Sequence, residues 1–258
     1  MLRRVDVGEA DRIVTAYTRE HGKRRFMAHG IRKPSSRKAG HLESFTHTRL
    51  LIARGRNLDT ISQAEAIDTF QLMRADEGAI AAAALMAELV DRLTVDDEAQ
   101  PAVLDLLTLS LGLLGAARDN RRVLVVFEAT LLRELGYRPM LERCLRCEQA
   151  LVSGSHGFDF DGGGVICERC LPASFGARPV SSNALKLYRL IDRGELGRAY
   201  RVRASVVTVD ELDRLLEEYA RRIAGRDFAG RRVVSDLKLQ YEPSDPVADD
   251  RSAPDGLR

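Results

Sequence analysis

The sequence predicts an α+β protein in which a small β-rich region precedes a larger helical one. Over about the first 70 residues, apolar and polar residues alternate in short runs between turns, as they do in β-strands. Beyond residue 75 the apolar residues recur every three or four positions, which is the spacing of an amphipathic helix. About 40 residues without helical spacing interrupt this region and contain all four cysteines. We therefore expect a β-domain followed by a helical domain with an inserted cysteine module.

The β-rich region contains four runs of β-favouring residues: Arg12–Thr18, Arg25–Ile31, Thr46–Ala53 and Thr60–Ala66. Turn-forming residues separate them, with His21-Gly22 after the first run, Pro34–Ser36 after the second and Gly55–Asn57 after the third. Short strands joined by tight turns, with no helix of useful length between them, are typical of a small barrel or sandwich. We place this domain at residues 1–72.

The helical region is predicted to contain helices over Ala79–Leu93, from Pro101 onward, and over Val123–Leu135, Asn183–Ile191 and Val209–Ile223. Proline suits the first position of a helix, and Gly136 supplies a stop for the third one. Thr208 and Glu211 have the spacing of a capping box at the start of the last helix. We place the helical domain at residues 73–241.

Two further features concern the ends and the environment of the chain. Residues 242–258 are rich in Pro, Asp and Ser and are predicted to form a disordered tail. The sequence has no run of about 18 apolar residues and no secretory leader at its N-terminus, which favours a cytoplasmic protein. In that compartment thiols stay reduced, and cysteines more often bind metals than form disulfides.

The four cysteines have the spacing of a zinc site. Cys144 and Cys147 are separated by two residues, as are Cys167 and Cys170, with 19 residues between the pairs. Each pair directs two sulfurs to one point, and two such turns complete the tetrahedron that zinc prefers. The interval contains alternating residues around Phe158 and a glycine-rich turn, which predict a β-hairpin. We interpret residues 142–175 as a zinc ribbon.

Because protein ligands fill all four positions, we expect one zinc ion with a structural role. Arg143, Arg146 and Arg169 lie beside the ligands in sequence and are expected to offset the negative charge of the thiolates. Two disulfides or a redox pair are the competing interpretations. Disulfides suit a secreted chain, and a redox dithiol does not need a second copy.

No catalytic constellation is recognisable elsewhere in the sequence. It contains no phosphate-binding glycine loop and no nucleophile elbow, and its glycine cluster, Gly162–Gly164, falls in the ribbon turn. The acidic run Asp96–Glu98 is interpreted as a solvated loop that favours the N-terminus of the helix starting at Pro101. We therefore expect a protein that is not an enzyme and has no small-molecule substrate.

Charge is distributed unevenly along the chain. Residues 1–60 carry a balance of +8, whereas the remaining residues carry −6. Residues 19–38 alone contain eight Lys or Arg and a single acid, Glu20. Such an asymmetry indicates a polyanionic partner, although a solvated basic loop is the simpler alternative. Tyr17, Phe26 and Phe45 are candidates for stacking on bases, but aromatic residues of strands more often fill the core.

Several segments resemble the RecO family of bacterial DNA repair and recombination proteins. They are Gly8–Val14, His21–Lys23, Gly30–Lys33, Leu42–Phe45, Arg54–Asp59 and Leu135–Pro139 leading into Cys144. The resemblance extends in the same order from residue 1 to about residue 240. This family usually has several more residues before the position that matches Leu2, so we expect a shortened first strand and a frayed barrel edge.

The resemblance implies an N-terminal OB-fold barrel and a helical domain that carries the zinc module. It implies binding of single- and double-stranded DNA, annealing of complementary strands, and loading of RecA together with RecR and the single-stranded-DNA-binding protein. It also implies a bacterial, nucleoid-associated location. On this interpretation the DNA-facing residues are Lys23, Arg24, Arg25, Arg32, Lys33, Arg37, Lys38, Arg54 and Arg56.

Two other functions remain open from the residues alone. A zinc-ribbon protein that binds RNA or acts in transcription would contact nucleic acid through the ribbon itself. A small-molecule or nucleotide hydrolase would need a cluster of titratable residues that the sequence does not display. The position of the contacts, in the barrel or in the ribbon, distinguishes the first of these from a DNA-binding barrel.

Overall fold

The computed structural model describes residues 1–240 except positions 118, 153 and 195. It confirms the α+β class: a five-stranded sheet is followed by helices, and a three-stranded sheet is inserted between them. The tail predicted for residues 242–258 lies outside the described residues.

The N-terminal sheet contains β1 Arg3–Val7, β2 Asp11–Thr18, β3 Gly22–Ala28, β4 His47–Ala53 and β5 Thr60–Asp68. The strand order is β1-β2-β3-β5-β4, in which β3 and β5 are parallel and the other neighbours are antiparallel. All four predicted strands are present, but β3 begins and ends three residues before the predicted run. The chain turns earlier there because Gly22 takes the left-handed conformation, at φ +63°.

The barrel remains open between its first and fourth strands. No ladder joins β1 to β4 within the described residues, and the N–H of Phe45 donates to the carbonyl of Met1 at 2.9 Å across this seam. We expected a shortened first strand with a frayed edge. β1 has five residues, and each of them pairs with β2, so the open seam lies on the other side of β1.

The helical domain covers part of the outer surface of the barrel. Val14 and Ala16 of β2 point into the small barrel core. Thr15 and Tyr17 alternate with them, yet they are also buried, and Tyr17 belongs to the core of the helical domain. A strand with four consecutive buried residues is covered on both faces. The outer face of β2 is therefore an interface between the two domains.

The helices are α1 Gln71–Arg74, α2 Glu77–Leu93, α3 Pro101–Leu113, α4 Asn120–Glu134, α5 Ser182–Asp192, α6 Leu196–Ala199, α7 Val206–Ala224 and α8 Ala229–Gln240. Five of them were predicted; α1, α6 and α8 were not. No helix in the described part of the chain is both long enough and apolar enough to cross a membrane.

The cap predicted for α7 is wrong. The helix begins three residues earlier, and Ser205 is its N-cap, accepting the N–H of Thr208 at 3.2 Å. Glu211 accepts hydrogen bonds from the N–H and hydroxyl of Ser181, both at 2.6 Å. Since Ser181 is the N-cap of α5, Glu211 connects α7 to the start of a neighbouring helix.

A buried cluster of charges connects three helices of the domain. Arg231 of α8 contacts Glu128 of α4 and lies 2.7 Å from Asp213 of α7. All three residues are buried, and Oε1 of Glu128 has no hydrogen-bond partner. Glu88 of α2 also accepts the N–H of Gly230, at 2.8 Å. These contacts hold α8 against the body of the domain.

Candidate metal centre and nucleic-acid interface

The cysteine module is built on the hairpin that the sequence predicted. Its strands are β6 His156–Asp159 and β7 Gly164–Cys167, which pair over four residues. A third strand, β8 Arg178–Val180, pairs with the other edge of β6 and was not predicted. It has only three residues and includes a proline, so its sequence gives no strand signal.

The four cysteine sulfurs of this module converge. All four sulfurs lie within 4.8 Å of one another, and none of the four residues forms a disulfide: Cys144, Cys147, Cys167 and Cys170. Cys147 Sγ and Cys167 Sγ are 3.8 Å apart. Zinc–sulfur bonds of about 2.3 Å in a tetrahedron place sulfurs about 3.8 Å apart, so these residues fit a zinc ion.

The electrostatics of the cluster favour a cation at its centre. Burial raises the pKa of Cys144, but the N–H groups of Cys167, Cys147 and Arg146 outweigh it and lower the pKa to about 6. At Cys170 the neighbouring sulfur of Cys167, with burial and the other two thiols, raises the pKa to about 12. A bound cation would favour the thiolate form of Cys170, which its neighbours otherwise disfavour.

The arginines expected to offset the thiolate charge do not contact the sulfurs in the described structure. The guanidinium of Arg143 donates to the carbonyl of Glu148 at 3.2 Å. Arg146 contributes its backbone N–H to Cys144 Sγ at 3.4 Å, and the N–H of Cys167 donates to the same sulfur at 3.4 Å. Main-chain donors thus replace the expected side chains, because the tight turns point N–H groups inward.

The module packs against the helical core. Phe158 is buried and meets the ring of Tyr219 of α7 edge-on, with ring centroids 5.4 Å apart. Gly163 lies so close to Tyr219 that an added Cβ would be 2.8 Å from its hydroxyl. Arg222 of α7 reaches Asp161 in the hairpin turn at 2.7 Å. These contacts make the module a brace for the helical domain.

In the barrel, Lys23 occupies a different place from the DNA-facing position expected for it. Its side chain is only 11% exposed, and its ammonium donates to the carbonyls of Asp91 and Thr94 at the C-terminal end of α2. The carboxylate of Asp96 lies 3.2 Å away. A cation suits the negative end of a helix dipole. Lys23 therefore anchors the barrel to α2 and is not presented to solvent.

Two more of the expected DNA-facing residues have partners within the protein. The Nε of Arg24 lies 2.7 Å from Asp97, and its guanidinium lies 3.7 Å from Asp59. The ammonium of Lys38 donates to the carbonyl of Ile61 at 2.9 Å. Arg24 remains 36% exposed, whereas Lys38 is half-buried.

The remaining six expected residues are exposed: Arg25, Arg32, Lys33, Arg37, Arg54 and Arg56. Arg32 lies 3.4 Å from Asp6 and donates to the carbonyl of Gly8. Within the described residues, the other five make no hydrogen bond through their side chains and no ion pair. They are thus the cations of the predicted set that are available to an external anion.

Five of these residues lie on two loops, and Arg25 lies on β3 itself. Arg32, Lys33 and Arg37 follow the end of β3. The loop that carries Arg54 and Arg56 leads into β5, whose first residue, Thr60, lies opposite Met27 near the same end of β3. The predicted basic strip, residues 19–38, therefore contains residues held by internal partners, such as Lys23 and Lys38, as well as exposed cations.

A cleft of about 890 Å³ opens between the barrel and the helices. Residues of β2, β3, β4 and α3 line it, and they include Arg24, Arg54, Tyr17, Phe26 and Phe45. Tyr17 and Phe26 are buried, and Phe45 is half-buried against the core, so the interpretation of these aromatics as core residues fits the structure. The cations, not the aromatic rings, are the exposed groups of this lining.

Comparison with known proteins decides the family. The model of the N-terminal region of recombination protein O matches residues 1–70, and that of its C-terminal region matches residues 74–232. The chain belongs to the RecO family. This conclusion confirms the resemblance inferred from the sequence motifs.

Curated relatives agree with the family models. The chain is 37% identical to a protein of Roseiflexus over 98% of its own length and 89% of the relative. It is 43% identical to a protein of Pelotomaculum thermopropionicum over 71% of the chain and 70% of the relative. A protein of Symbiobacterium thermophilum is 37% identical over 85% of the chain and 90% of the relative. Each of the three carries the name DNA repair protein RecO.

The sequence interpretation missed the acidic partners of the basic strip. Asp91, Asp96 and Asp97 contact Lys23 and Arg24, although the run Asp96–Glu98 was interpreted as a solvated loop. The available signal was complementarity, since an acidic run and the basic run Lys23–Arg25 have opposite charge. Nothing in their spacing of over 70 residues indicated that they meet.

Proposed function

We propose that this protein is a non-enzymatic mediator of recombination in DNA repair. It binds single- and double-stranded DNA through the barrel, anneals complementary strands, and helps RecA to load together with RecR. The names of its relatives support a role in DNA repair. The observation that carries the DNA-binding part is the exposure of Arg25, Lys33, Arg37, Arg54 and Arg56, whose side chains form no hydrogen bond or ion pair with the described part of the chain.

The proposed mechanism is electrostatic. Phosphates of two strands repel each other, and their neutralisation by Lys and Arg releases counterions and removes part of that repulsion. Exposed cations on two separate loops, one with Arg32, Lys33 and Arg37 and the other with Arg54 and Arg56, can neutralise several phosphates together. Because contacts of Lys and Arg with phosphates carry no base information, these residues are expected to position the backbone and to read no sequence. Binding is therefore expected to be independent of sequence.

The zinc site has a structural part in this proposal. Cys144, Cys147, Cys167 and Cys170 would hold one zinc ion, which closes the ribbon that braces α7. With four protein ligands the ion has no open position for a substrate. RecR and the single-stranded-DNA-binding protein are the proposed partners, and the proposed location is the cytoplasm at the bacterial nucleoid.

The proposal is tested by removing two charges at a time. Arg54→Gln/Arg56→Gln and Lys33→Gln/Arg37→Gln each remove two exposed cations from one loop of the barrel. Arg146→Gln/Arg169→Gln removes two exposed cations of the ribbon as a charge-matched control. Affinity for a labelled oligothymidylate is measured over a series of salt concentrations, and annealing is measured with and without single-strand-binding protein.

Each barrel variant is expected to weaken binding and to flatten the salt dependence by about 1.4 in log–log slope, because each phosphate contact on a single strand contributes about 0.7. The ribbon variant should bind like the wild type. If only the ribbon variant loses binding, the contacts belong to the ribbon, and the alternative of a zinc-ribbon nucleic-acid-binding protein replaces the barrel proposal.

A further inference from the structure

An acidic segment of the helical domain lies directly on the β2–β3 hairpin. The N–H of Asp97 donates to the carbonyl of Lys23 at 3.0 Å. Gly22 lies so close to this segment that an added Cβ would overlap the carbonyl oxygen of Glu98. The acidic segment Asp96–Glu98, which connects α2 to α3, is thereby held against the beginning of β3, within the basic strip (residues 19–38).

The carboxylate of Asp97 contacts a cation of this basic strip. Its backbone has φ +62°, a left-handed conformation that is uncommon for residues other than glycine, asparagine and aspartate. From that position its carboxylate meets Nε of Arg24 at 2.7 Å. Arg24 also lines the cleft between barrel and helices, as do Arg54 and Asp59.

The two cations of the hairpin differ in how firmly they are held. Lys23 is nearly buried and bonds to main-chain carbonyls, which cannot move without unwinding the end of α2. The pair between Arg24 and Asp97 is open to solvent, with 36% and 67% of the two side chains exposed. Exposed ion pairs are weak and exchange partners readily. A phosphate offers the guanidinium the same paired acceptor oxygens as a carboxylate.

We propose that Asp97 is a built-in competitor of DNA phosphate for Arg24. It occupies the guanidinium in the free protein and gives it up when a phosphate enters the mouth of the cleft. This inference rests on the proposed DNA-binding function and adds an autoinhibitory contact to it. The contact lowers affinity for isolated phosphates and favours chains of phosphates that engage Arg54 and Arg24 together.

The experiment is a double-mutant cycle on Asp97 and Arg24. Asp97→Asn removes the charge and keeps a residue that tolerates positive φ, and Asp97→Gly serves the same purpose if the amide disturbs folding. Arg24→Gln and the double variant complete the cycle, and Glu77→Gln, an exposed acid at the start of α2, controls for net charge. Affinity for labelled oligothymidylate is measured over a salt series, and thermal unfolding checks each fold.

Asp97→Asn is expected to bind about two- to fivefold more tightly at low salt. Its salt slope should equal that of the wild type, because Arg24 contacts a phosphate in both complexes. The gain should vanish in the Arg24→Gln background. If it persists there, or if Glu77→Gln gives the same gain, the effect is general and the proposal is overturned.

The same measurements test DNA binding by the barrel and competition by Asp97 separately. Suppose that the barrel variants bind DNA more weakly than the wild type, but Asp97→Asn binds with unchanged affinity. The competitor role of Asp97 is then rejected, and the DNA-binding proposal stands. Wild-type protein that binds no oligonucleotide at any salt concentration rejects DNA binding itself, and the competitor with it.

Discussion

The ammonium group of Lys23 lies 2.9 Å from the carbonyl oxygen of Thr94, at the residue that ends α2. Lys23 belongs to the basic strip of the barrel and Thr94 to the helical domain. A residue that composition assigns to nucleic-acid binding thus forms part of the connection between two domains. Charge reversal at Lys23 would disturb that connection, so a loss of DNA binding in such a variant would not identify a DNA contact.

Replacing Lys23 by methionine is expected to lower the free energy of unfolding by about 1–3 kcal/mol. The carbonyls of Asp91 and Thr94 would lose their donor in a place that is nearly closed to solvent. Urea denaturation measures this change. Arg25→Met is the matched control, because this adjacent cation is exposed and forms no hydrogen bond or ion pair with the residues that the structure describes, and the variant should stay within about 0.5 kcal/mol of the wild type. Equal losses in the two variants would contradict the anchoring role.

Gly22→Ala is expected to destabilise the contact between the barrel and the acidic segment. Alanine meets two obstacles there, the backbone φ of +63° and the carbonyl of Glu98. Gly8→Ala is the control, since Gly8 has φ +58° but nothing within 4 Å of an added Cβ. Both variants should lose about 1 kcal/mol of unfolding free energy, because alanine disfavours the left-handed conformation. Gly22→Ala should lose at least about 1 kcal/mol more. Equal unfolding midpoints would show that the segment moves aside freely.

Sequence patterns predicted the local elements well and the contacts between domains poorly. The alternation around Thr60 and the spacing of leucines around Leu89 each reflect one element and one buried face, so they are readable from a short window. The burial of Tyr17 depends on the helical domain, where its hydroxyl donates to the carbonyl of Gln100, 83 residues further along the chain. No local pattern encodes such a contact. The contacts of Lys23 with Asp96 and of Arg24 with Asp97 were invisible for the same reason.

The cysteine module was the most predictable part of the site. Two CxxC pairs specify a metal-binding geometry within two tight turns, and the hairpin between them follows from alternation and glycine. Its third strand, Arg178–Val180, was missed because a three-residue pairing has no periodicity. The cap of α7 was misplaced because Ser205 and Thr208 are both good N-cap residues, and only tertiary contacts of Glu211 decide between them.

Cys144→Ser and Cys167→Ser are each expected to lower the zinc content of the purified protein from one ion per chain. Each substitution removes one of four ligands, and the hairpin that packs on Tyr219 loses its closure. Metal analysis measures the first effect. Hydrogen exchange measures the second, with faster exchange in α7 and little change in β2 and β3. Four thiols that react rapidly in the native, untreated protein would contradict a metal site.

Arg231→Met is expected to cost about 3–5 kcal/mol of unfolding free energy. The substitution leaves Glu128 and Asp213 buried without their common cation, which is more damaging than the absence of the whole cluster. The triple variant Arg231→Met/Glu128→Gln/Asp213→Asn should recover part of the loss. Denaturation midpoints compare the two, and a triple variant less stable than the single one would contradict this account.

Glu128 gives the domain a pH dependence that is opposite to that of most carboxylates. Burial, against the opposing effect of Arg231, raises the pKa of Glu128 from 4.5 to about 7. The folded protein therefore keeps a proton on this residue between pH 4.5 and 7, where the unfolded chain has released it. Stability from this group is present below pH 4.5 and is lost as the pH rises to about 7.

A comparison of wild type with Glu128→Gln isolates this dependence, because other titrating groups are common to both proteins. Relative to the variant, the wild type should lose up to about 3 kcal/mol of unfolding free energy between pH 5 and pH 8. Asp11→Asn offers a control of opposite sign. The pKa of Asp11 is lowered by the N–H of Gly30 and by His29, so the stability that Asp11 contributes is lost as the pH falls. Parallel stability curves for wild type and Glu128→Gln would mean that Arg231 keeps Glu128 ionised throughout. The buried cluster would then be a fixed ion pair that does not titrate in this pH range.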